Sequence, residues 1–574
     1  MKNVQIGNVQ VAFLKQRPVE ECPGFEGYRP GRTLLPAGYV YQQGRKPFPT
    51  ETIYDRDVTV VLRDGTKIYV DIFRPATEEK VPAILSWGSA GKRGMNNMLD
   101  HITDGPVFGR PIDPSVKPRL GLPFDYTSGL QAWECLDPAY WVQYGYAIVN
   151  ADPRGIFLSE GDAQYFGEQD AQDLCDTVEA VAAMDWCTGN VGTCGCSWYG
   201  MVQHFAAHLH PPHWKAMATL EGHGDLYREE YLRGGIPVDT SIKNERTFSG
   251  GYMEELYTMV ERYPLFNEYW QGKMARFEEN TIPAYMTACY SAHCHGHGDF
   301  DAYQRTAAKD KWLRVQNTQE WVDLYHEDSN DDLRRFFDYF LKGMENGWRE
   351  TPPVRLAVFD FEGEDTLGRP EEEFPPARRR LVPYYLNAGE GALVPCLPEQ
   401  TSVGAYDSQS DELLSFVLEV TQEMETTGYF KAKLWVEADE YDDMDLFVRV
   451  TQLAADGSMP YHNAYFYKYT GPDGRLRVSH REVDPQRSSP DRPYHSHTRQ
   501  QMLTRGEIVP VEIELWPTSM RWHRGQKLLF TVAGYDYCPY PPGDRPVCRP
   551  ENKGIHRIYT GGAYDSHLLI PVVD

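Results

Sequence analysis

The sequence predicts an α/β core followed by an all-β domain, and three observations support this fold class. Short apolar runs at 81–87 (VPAILSW) and 145–152 (GYAIVNAD) are typical of strands buried in a parallel sheet. An amphipathic helical pattern over 168–186 follows the second run, so strands and helices alternate. From about residue 352, segments such as MDLFVRVTQL and KLLFTVAG alternate with period two and lack helices between them.

The 574 residues exceed what one hydrophobic core usually holds, about 250–300 residues, so we expect several structural units. Residues 1–50, rich in Pro and Gly, read as an extended lead-in. Period-two alternation on both sides of Asp64-Gly65 predicts a hairpin at the start of the core. We place the α/β core at 51–221 and 282–350, an inserted, mostly helical cap at 222–281, and a β-sandwich of jelly-roll type at 351–574.

Charge and hydropathy argue against a nucleic-acid partner, a membrane span and a secretory signal. The formal net charge is 57 − 83 = −26, and no basic run provides the clustered Lys and Arg of a phosphate-binding surface, so we expect no nucleic-acid partner. No apolar run reaches 18 residues, which predicts no membrane span. The N-terminus lacks the apolar segment of a secretory signal. These features predict a cytoplasmic protein and leave homo-oligomerisation open.

The sharpest local motif is Gly195-Cys-Ser197-Trp-Tyr-Gly200, which follows the strand-like NVGTCG and opens a helical stretch. Such a strand-to-helix turn lifts a serine hydroxyl clear of the sheet at a helix N-terminus. We therefore predict Ser197 to be a nucleophile, against the simpler interpretation of an inert turn serine. A nucleophilic serine needs a base oriented by an acid, and an oxyanion hole. The amide of Trp198 and the loop from Ser86 to Lys92 are the candidate oxyanion donors.

Several segments together resemble the cocaine esterase and X-Pro dipeptidyl-peptidase family of serine hydrolases, from about residue 51 to the C-terminus. They are RDGTKIYVDIFRP, ADPRGIFLSEGD, GCSWYG, FFDYFLKGMENGW, VPVEIELWPTS and IYTGGAYDSHLLIPVV. The resemblance implies an α/β-hydrolase core, a helical cap and a C-terminal jelly roll. It also implies hydrolysis of esters, amides or acylated amino compounds through Ser-His-Asp.

Three positions depart from the family pattern. Ala90 stands where the family carries an oxyanion-binding tyrosine. Ala292 stands where the acid is expected, after the strand ending CYS, and Gln316 stands where the histidine is expected, after KWLRV. Only the nucleophile, Ser197, therefore transfers residue by residue.

The segment 291–301 contains residues that could replace the missing acid and base. It follows a predicted strand at the carboxyl edge of the sheet, where such folds place their catalytic residues. We predict His295 as the base, with Asp299 orienting it, and His326 as the second choice for the base. The amide of Trp198 and the loop carrying Ala90 would hold the oxyanion. The simpler interpretation is that these histidines are polar loop residues beside a pocket.

The alternation His293-x-His295-x-His297 also fits a metal site, because a strand would place three imidazoles on one face. The interleaved glycines argue against a strand, and no distant ligand is identifiable, so we predict no metal and no cofactor.

Two functional hypotheses follow. The first is a serine hydrolase that cleaves an ester, lactone or amide bond of a small, largely apolar molecule through an acyl-enzyme at Ser197. The second is a repurposed fold with a degenerate triad, acting as a lyase, a cyclase or a ligand-binding pseudoenzyme. Ala90, Ala292 and Gln316 together motivate this alternative.

Overall fold

A computed structural model describes residues 1–22, 25–92, 122–239, 249–292, 295–439, 441–462, 468–539 and 547–573. The first strands in chain order are β1 (Lys2–Ile6), β2 (Val9–Lys15), β3 (Gly31–Leu35), β4 (Thr52–Val61), β5 (Lys67–Pro75), β6 (Val81–Ser86), β7 (Ala147–Asp152), β8 (Cys187–Cys196), β9 (Trp214–Leu220), β10 (Val238–Asp239), β11 (Tyr252–Glu254), β12 (Ala284–Ala288), β13 (Lys311–Val315), β14 (Val354–Val358) and β15 (Thr366–Glu371).

The remaining strands are β16 (Arg380–Asn387), β17 (Ala392–Val394), β18 (Ser402–Asp407), β19 (Leu413–Glu419), β20 (Met424–Ala438), β21 (Asp445–Leu453), β22 (Asp473–Arg477), β23 (Val509–Trp522), β24 (Lys527–Ala533), β25 (Val547–Cys548), β26 (Ile555–Thr560) and β27 (His567–Val573). The α-helices are Pro138–Trp141, Glu168–Ala182, Trp198–Ala206, Leu256–Arg262, Glu268–Gln271, Gly298–Arg305, Glu320–Tyr325 and Glu327–Lys342, and a π-helix spans Leu226–Tyr231. Among these described residues, no helix is long and apolar enough to cross a membrane.

The core is an eleven-stranded sheet in the order β15-β14-β13-β12-β9-β8-β6-β7-β5-β4-β3. Strands from β7 through β14 in this order run parallel, and β5, β4 and β3 continue as antiparallel neighbours. The chain order reverses around β6, which pairs with β7 on one side and β8 on the other. Ligand sites of open α/β sheets lie at such a switch point, beyond the carboxyl ends of the strands.

The predicted α/β-hydrolase class is confirmed, and its local elements form as the sequence pattern indicates. The predicted hairpin forms between β4 and β5, with Gly65 at φ +86° in the turn. In the helix Glu168–Ala182, Leu174, Val178 and Val181 are fully buried, so the predicted apolar stripe faces the core. The C-terminal part is a β-sandwich with its own hydrophobic core, built from β16–β24, β26 and β27. Its jelly-roll topology stays a prediction.

The segment limits differ from the sequence expectation in three places. The lead-in at 1–50 contains three strands, of which β1 and β2 form a hairpin and β3 joins the core sheet. The cap at 222–281 contains two short strands besides its helices: β11 pairs with β2, and β10 pairs with β25. The core sheet continues through β14 and β15, beyond residue 351. The pairings of β2 with β11, of β10 with β25 and of β13 with β14 join strands remote in sequence, which local periodicity does not reveal.

Candidate active site

Ser197 lies at the turn between β8 and the helix Trp198–Ala206. Its backbone is held at φ 53° and ψ −123°, a conformation that costs free energy in an L-residue and persists where the surroundings enforce it. The flanking glycines are required sterically, because a Cβ on Gly195 would lie 2.3 Å from Cβ of Tyr199, and one on Gly200 would lie 3.0 Å from the carbonyl oxygen of Gly195. The predicted tight elbow is thus present.

His295 faces the elbow. Its Nε2 lies 3.3 Å from Oγ of Ser197, within the looser hydrogen-bond range expected before substrate arrives. The imidazole belongs to the loop between β12 and the helix Gly298–Arg305, and its ring is buried. The structure therefore brings together the two residues that the sequence predicted as nucleophile and base.

The surroundings of His295 keep it neutral. Burial, reinforced by the nearby His223, lowers the pKa of His295 to about 3. The two imidazole ring centroids lie 5.9 Å apart. Nδ1 of His295 is buried and has no hydrogen-bond partner among the described residues. In one tautomer of the neutral ring, Nε2 carries no proton and can accept the proton of Ser197. Among the described residues, no acid contacts Nδ1 to stabilise the resulting imidazolium.

Asp299 is engaged elsewhere, which corrects the prediction that it orients His295. Its Oδ1 lies 2.9 Å from Nε2 of His204 and accepts a hydrogen bond from Oγ1 of Thr219 at 2.8 Å. Its Oδ2 accepts from the backbone N–H of Gly222. The physical reason is that these three bonds, from the helix that follows Ser197, from β9 and from the turn after β9, occupy both carboxylate oxygens of Asp299.

The two predicted oxyanion donors belong to the elbow helix and to the loop after β6, which Tyr199 joins. Trp198 opens the helix after Ser197, where its N–H is one of the amides without an intrahelical acceptor. Ala90 is buried in the loop after β6, and its methyl group leaves only the backbone N–H as a donor. The hydroxyl of Tyr199 donates to the carbonyl of Gly91 at 2.9 Å and ties this loop to the elbow helix.

Gln316, which occupies the family's histidine position after β13, donates from its amide to the carboxyl of Glu221. Glu221 directly follows β9, has a backbone φ of 57° and is fully buried. Burial, together with nearby carboxylates, raises the pKa of Glu221 and of Glu320 well above the usual range. Sequence reasoning missed both residues, and it also missed β9, the strand that Glu221 directly follows.

The other sequence candidates lie apart from Ser197. His326 is exposed at the start of the helix Glu327–Lys342, where its ring is 3.9 Å from Asp328. His293 lies outside the described residues. His295 and His297 face different partners, Ser197 and a pair of glutamates, so the predicted single face of imidazoles is not formed by these two. No group of three or more potential metal ligands is found among the described residues.

Aromatic rings adjoin the elbow. The half-buried Trp198 packs edge-on against Tyr165, with ring centroids 4.5 Å apart, and against Phe166 at 4.4 Å. Such rings provide an apolar surface beside the nucleophile. The arrangement can present a serine hydroxyl to a carbonyl group, accept its proton on an imidazole, and contact an apolar acyl chain.

Comparisons with known proteins match both parts of the chain. Residues 64–332 match the family model of the X-Pro dipeptidyl-peptidase (S15 family), and residues 346–569 match that of the X-Pro dipeptidyl-peptidase C-terminal non-catalytic domain. A cocaine esterase from Rhodococcus sp. (strain MB1 Bresler) is 23% identical over 90% of this chain and 98% of its own length.

Solved structures show the same architecture. A CocE/NonD family hydrolase from Staphylococcus aureus superposes with a TM-score of 0.84 at 30% identity, covering 98% of this chain and 99% of that one. An aminopeptidase from a Thaumarchaeota archaeon superposes with a TM-score of 0.67 at 14% identity, covering 91% and 97% respectively, and shares the fold.

Proposed function

This chain belongs to the cocaine esterase and X-Pro dipeptidyl-peptidase family of serine hydrolases, and we propose that it cleaves an ester, lactone or amide bond of a small, largely apolar molecule through an acyl-enzyme at Ser197. The single observation that carries the proposal is the 3.3 Å separation between Oγ of Ser197 and Nε2 of His295 at a strained elbow.

In the proposed reaction, Oγ of Ser197 attacks the substrate carbonyl while Nε2 of His295 takes the hydroxyl proton. The amide of Trp198 and the backbone of the loop carrying Ala90 donate to the oxyanion. Collapse of the tetrahedral intermediate breaks the bond to the leaving group, which receives the proton from His295. Water, deprotonated by the same imidazole, then hydrolyses the acyl-enzyme.

His295 acts as the base of a serine–histidine dyad that has no acid among the described residues. Burial disfavours the imidazolium of His295, and no described carboxylate contacts its Nδ1. In serine proteases the loss of a functional acid lowers kcat by about 10⁴. We therefore expect slow turnover compared with a complete triad.

An apolar acyl group fits the rings beside the elbow. Trp198, Tyr165 and Phe166 form one contiguous aromatic cluster whose only half-buried member, Trp198, directly follows the nucleophile. A small apolar acyl chain bound there would exclude water from the reacting carbonyl, which strengthens the oxyanion contacts.

The experiment is active-site labelling with a fluorophosphonate probe, combined with hydrolysis of a panel of nitrophenyl esters. We expect the probe to attach to Ser197, labelling to vanish in Ser197→Ala, and the labelling rate to fall about 10²–10⁴-fold in His295→Gln because the base is lost. His326→Gln is the matched control, since it removes an exposed imidazole remote from the elbow, and should label as the wild type does. Equal labelling of Ser197→Ala would refute the proposal.

The repurposed fold remains the second candidate because one observation favours it: Gln316 and Glu221 pair at the position where the family expects a histidine. A wild-type protein that neither labels at Ser197 nor hydrolyses any ester would favour this candidate. The cytoplasmic location, the absence of a nucleic-acid partner and any homo-oligomer stay predictions.

A further inference from the structure

The loop that carries His295 also carries His297, whose ring contacts the cap and the β-sandwich instead of the nucleophile. Nδ1 of His297 lies 2.6 Å from Oε1 of Glu229 in the cap, and Nε2 lies 2.9 Å from Oε1 of Glu514 in β23. The imidazole of His297 therefore bridges two carboxylates that belong to different parts of the molecule. We call this set of three residues the Glu229–His297–Glu514 bridge.

The bridge is anchored at its cap end. The second carboxylate oxygen of Glu229 accepts backbone hydrogen bonds from Gly224 at 2.8 Å and Asp225 at 2.9 Å. These bonds fix the turn that begins with His223, the residue next to the base. A Cβ on Gly298 would lie 2.2 Å from Cα of His223, so the cap turn and the base loop are in direct backbone contact.

Other charged groups surround the bridge and balance its carboxylates. From the β-sandwich, Arg492 lies 3.2 Å from Nε2 of His297 and 2.9 Å from Oδ1 of Asp301. Arg492 also lies 3.6 Å from Oε2 of Glu514. From the helix after the loop, Asp301 pairs with Arg305 at 2.6 Å.

Charge explains why the bridge holds. The two carboxylates outweigh burial and raise the pKa of His297 to about 9. The ring is thus an imidazolium near neutral pH, hydrogen-bonded to Glu229 through Nδ1 and paired by charge with Glu514 at Nε2. Charge-assisted hydrogen bonds of this kind are stronger than neutral ones.

His295, in contrast, has no described side chain bonded to its Nδ1, and the polar contact of its ring is the one between Nε2 and Ser197. Its position relative to Ser197 is set by the backbone of its loop. Two residues away, the Glu229–His297–Glu514 bridge is a polar anchor that ties that backbone to both the cap and the β-sandwich.

We propose that the Glu229–His297–Glu514 bridge is a positioning device through which the cap and the C-terminal β-sandwich hold His295 against Ser197. The proposal deepens the function proposed above and rests on it, because it presumes that His295 is the base. Through Glu514 the C-terminal domain helps to position the base, while Ser197 and His295 carry out the bond-making steps.

The test uses the full-length protein and three variants in β23. Glu514→Gln keeps the shape of the side chain, and Glu514→Ala removes the carboxylate. Glu512→Gln is the matched control, since Glu512 lies on the same strand as Glu514 and pairs with Lys431 in β20. We expect the Glu514 variants to lower kcat and the rate of fluorophosphonate labelling about tenfold or more, since small displacements of a catalytic group are costly. KM should change little, and Glu512→Gln should behave as the wild type.

Chemical rescue separates positioning from general stability. Glu514 and His297 line a cavity of about 410 Å³, which is large enough to admit formate. Excess formate should restore labelling in Glu514→Ala, where the carboxylate site is vacated, and should not do so in Glu514→Gln, where the amide fills it. A loss of labelling that formate does not restore, accompanied by a lowered melting temperature, would assign Glu514 a role in stability alone and overturn the proposal.

The pH dependence gives a second readout. Because the bridge requires a protonated His297, the wild-type labelling rate should fall as pH rises through about 9. In Glu514→Gln one supporting carboxylate is neutral, so the fall should begin at lower pH. If the Glu514 variants label at the wild-type rate and their labelling rate falls at the same alkaline pH as in the wild type, the positioning role of the bridge is refuted and the proposed function stands. A wild type that never labels at Ser197 would instead refute the underlying function, and this proposal with it.

Discussion

Replacing Lys92 with Met removes the ammonium group that contacts three buried carboxylates beside the oxyanion loop. Nζ of Lys92 contacts Asp57 and lies 3.0 Å from Asp71 and 3.7 Å from Asp152. The side chain of Lys92 is 8% exposed, and the three carboxylates are 6%, 2% and 3% exposed. The substitution therefore leaves charge in a site with almost no solvent.

The magnitude follows from this burial. Removing one partner of a buried ion pair costs about 3–5 kcal/mol, because the remaining charge is uncompensated. At about 2 °C per kcal/mol for a large domain, the first melting transition should fall by about 6–10 °C. The backbone N–H of Lys92 also donates to Asp152 at 2.9 Å, so the loop that carries Ala90 should loosen and kcat should fall.

The effect should depend on pH in a defined direction. Burial already raises the pKa of Asp152 to about 7 although Lys92 opposes this shift. Without the ammonium group the folded-state pKa rises further above its unfolded value, so the folded variant binds protons more tightly. A group with a raised folded-state pKa loses its stabilising contribution as pH rises, so Lys92→Met should be less stable, relative to wild type, at pH 8 than at pH 6.

The assay is a thermal melt at both pH values, with the exposed Lys80→Met as the control for loss of a lysine at the start of β6. A melting temperature of Lys92→Met at pH 8 within about 1 °C of the control would refute the reasoning, because that shift corresponds to less than 1 kcal/mol.

Two further predictions concern the site itself. Asp299→Asn should lower the free energy of unfolding by about 1–3 kcal/mol, because it weakens the bonds to His204, Thr219 and Gly222. The fluorophosphonate labelling rate of Ser197 should stay unchanged. A labelling rate reduced a hundredfold would restore Asp299 as the acid. Because burial holds the pKa of His295 near 3, kcat/KM for a nitrophenyl ester should show no acid limb around pH 6.5 in a protein that stays folded; an inflection there would contradict a buried, neutral base.

The sequence by itself determined the local elements of this protein. The nucleophile elbow follows from two glycines whose missing side chains permit the turn, and the structure shows the close contacts at Gly195 and Gly200 that require them. The hairpin at Gly65 and the buried stripe of the helix Glu168–Ala182 follow from periodicity. These features are decided by residues within a few positions of one another, so the pattern along the chain carries them.

Only the tertiary structure decided which side chains meet. Asp299 and His295 are four residues apart, yet Asp299 bonds to His204, Thr219 and Gly222, which the packing of remote segments brings to it. His297 joins Glu229 to Glu514, a contact between three segments separated by 68 and 217 positions. Burial and the approach of distant charges set the pKa values of these groups. Such contacts arise when the cap, core sheet and β-sandwich pack together, and no local periodicity encodes them.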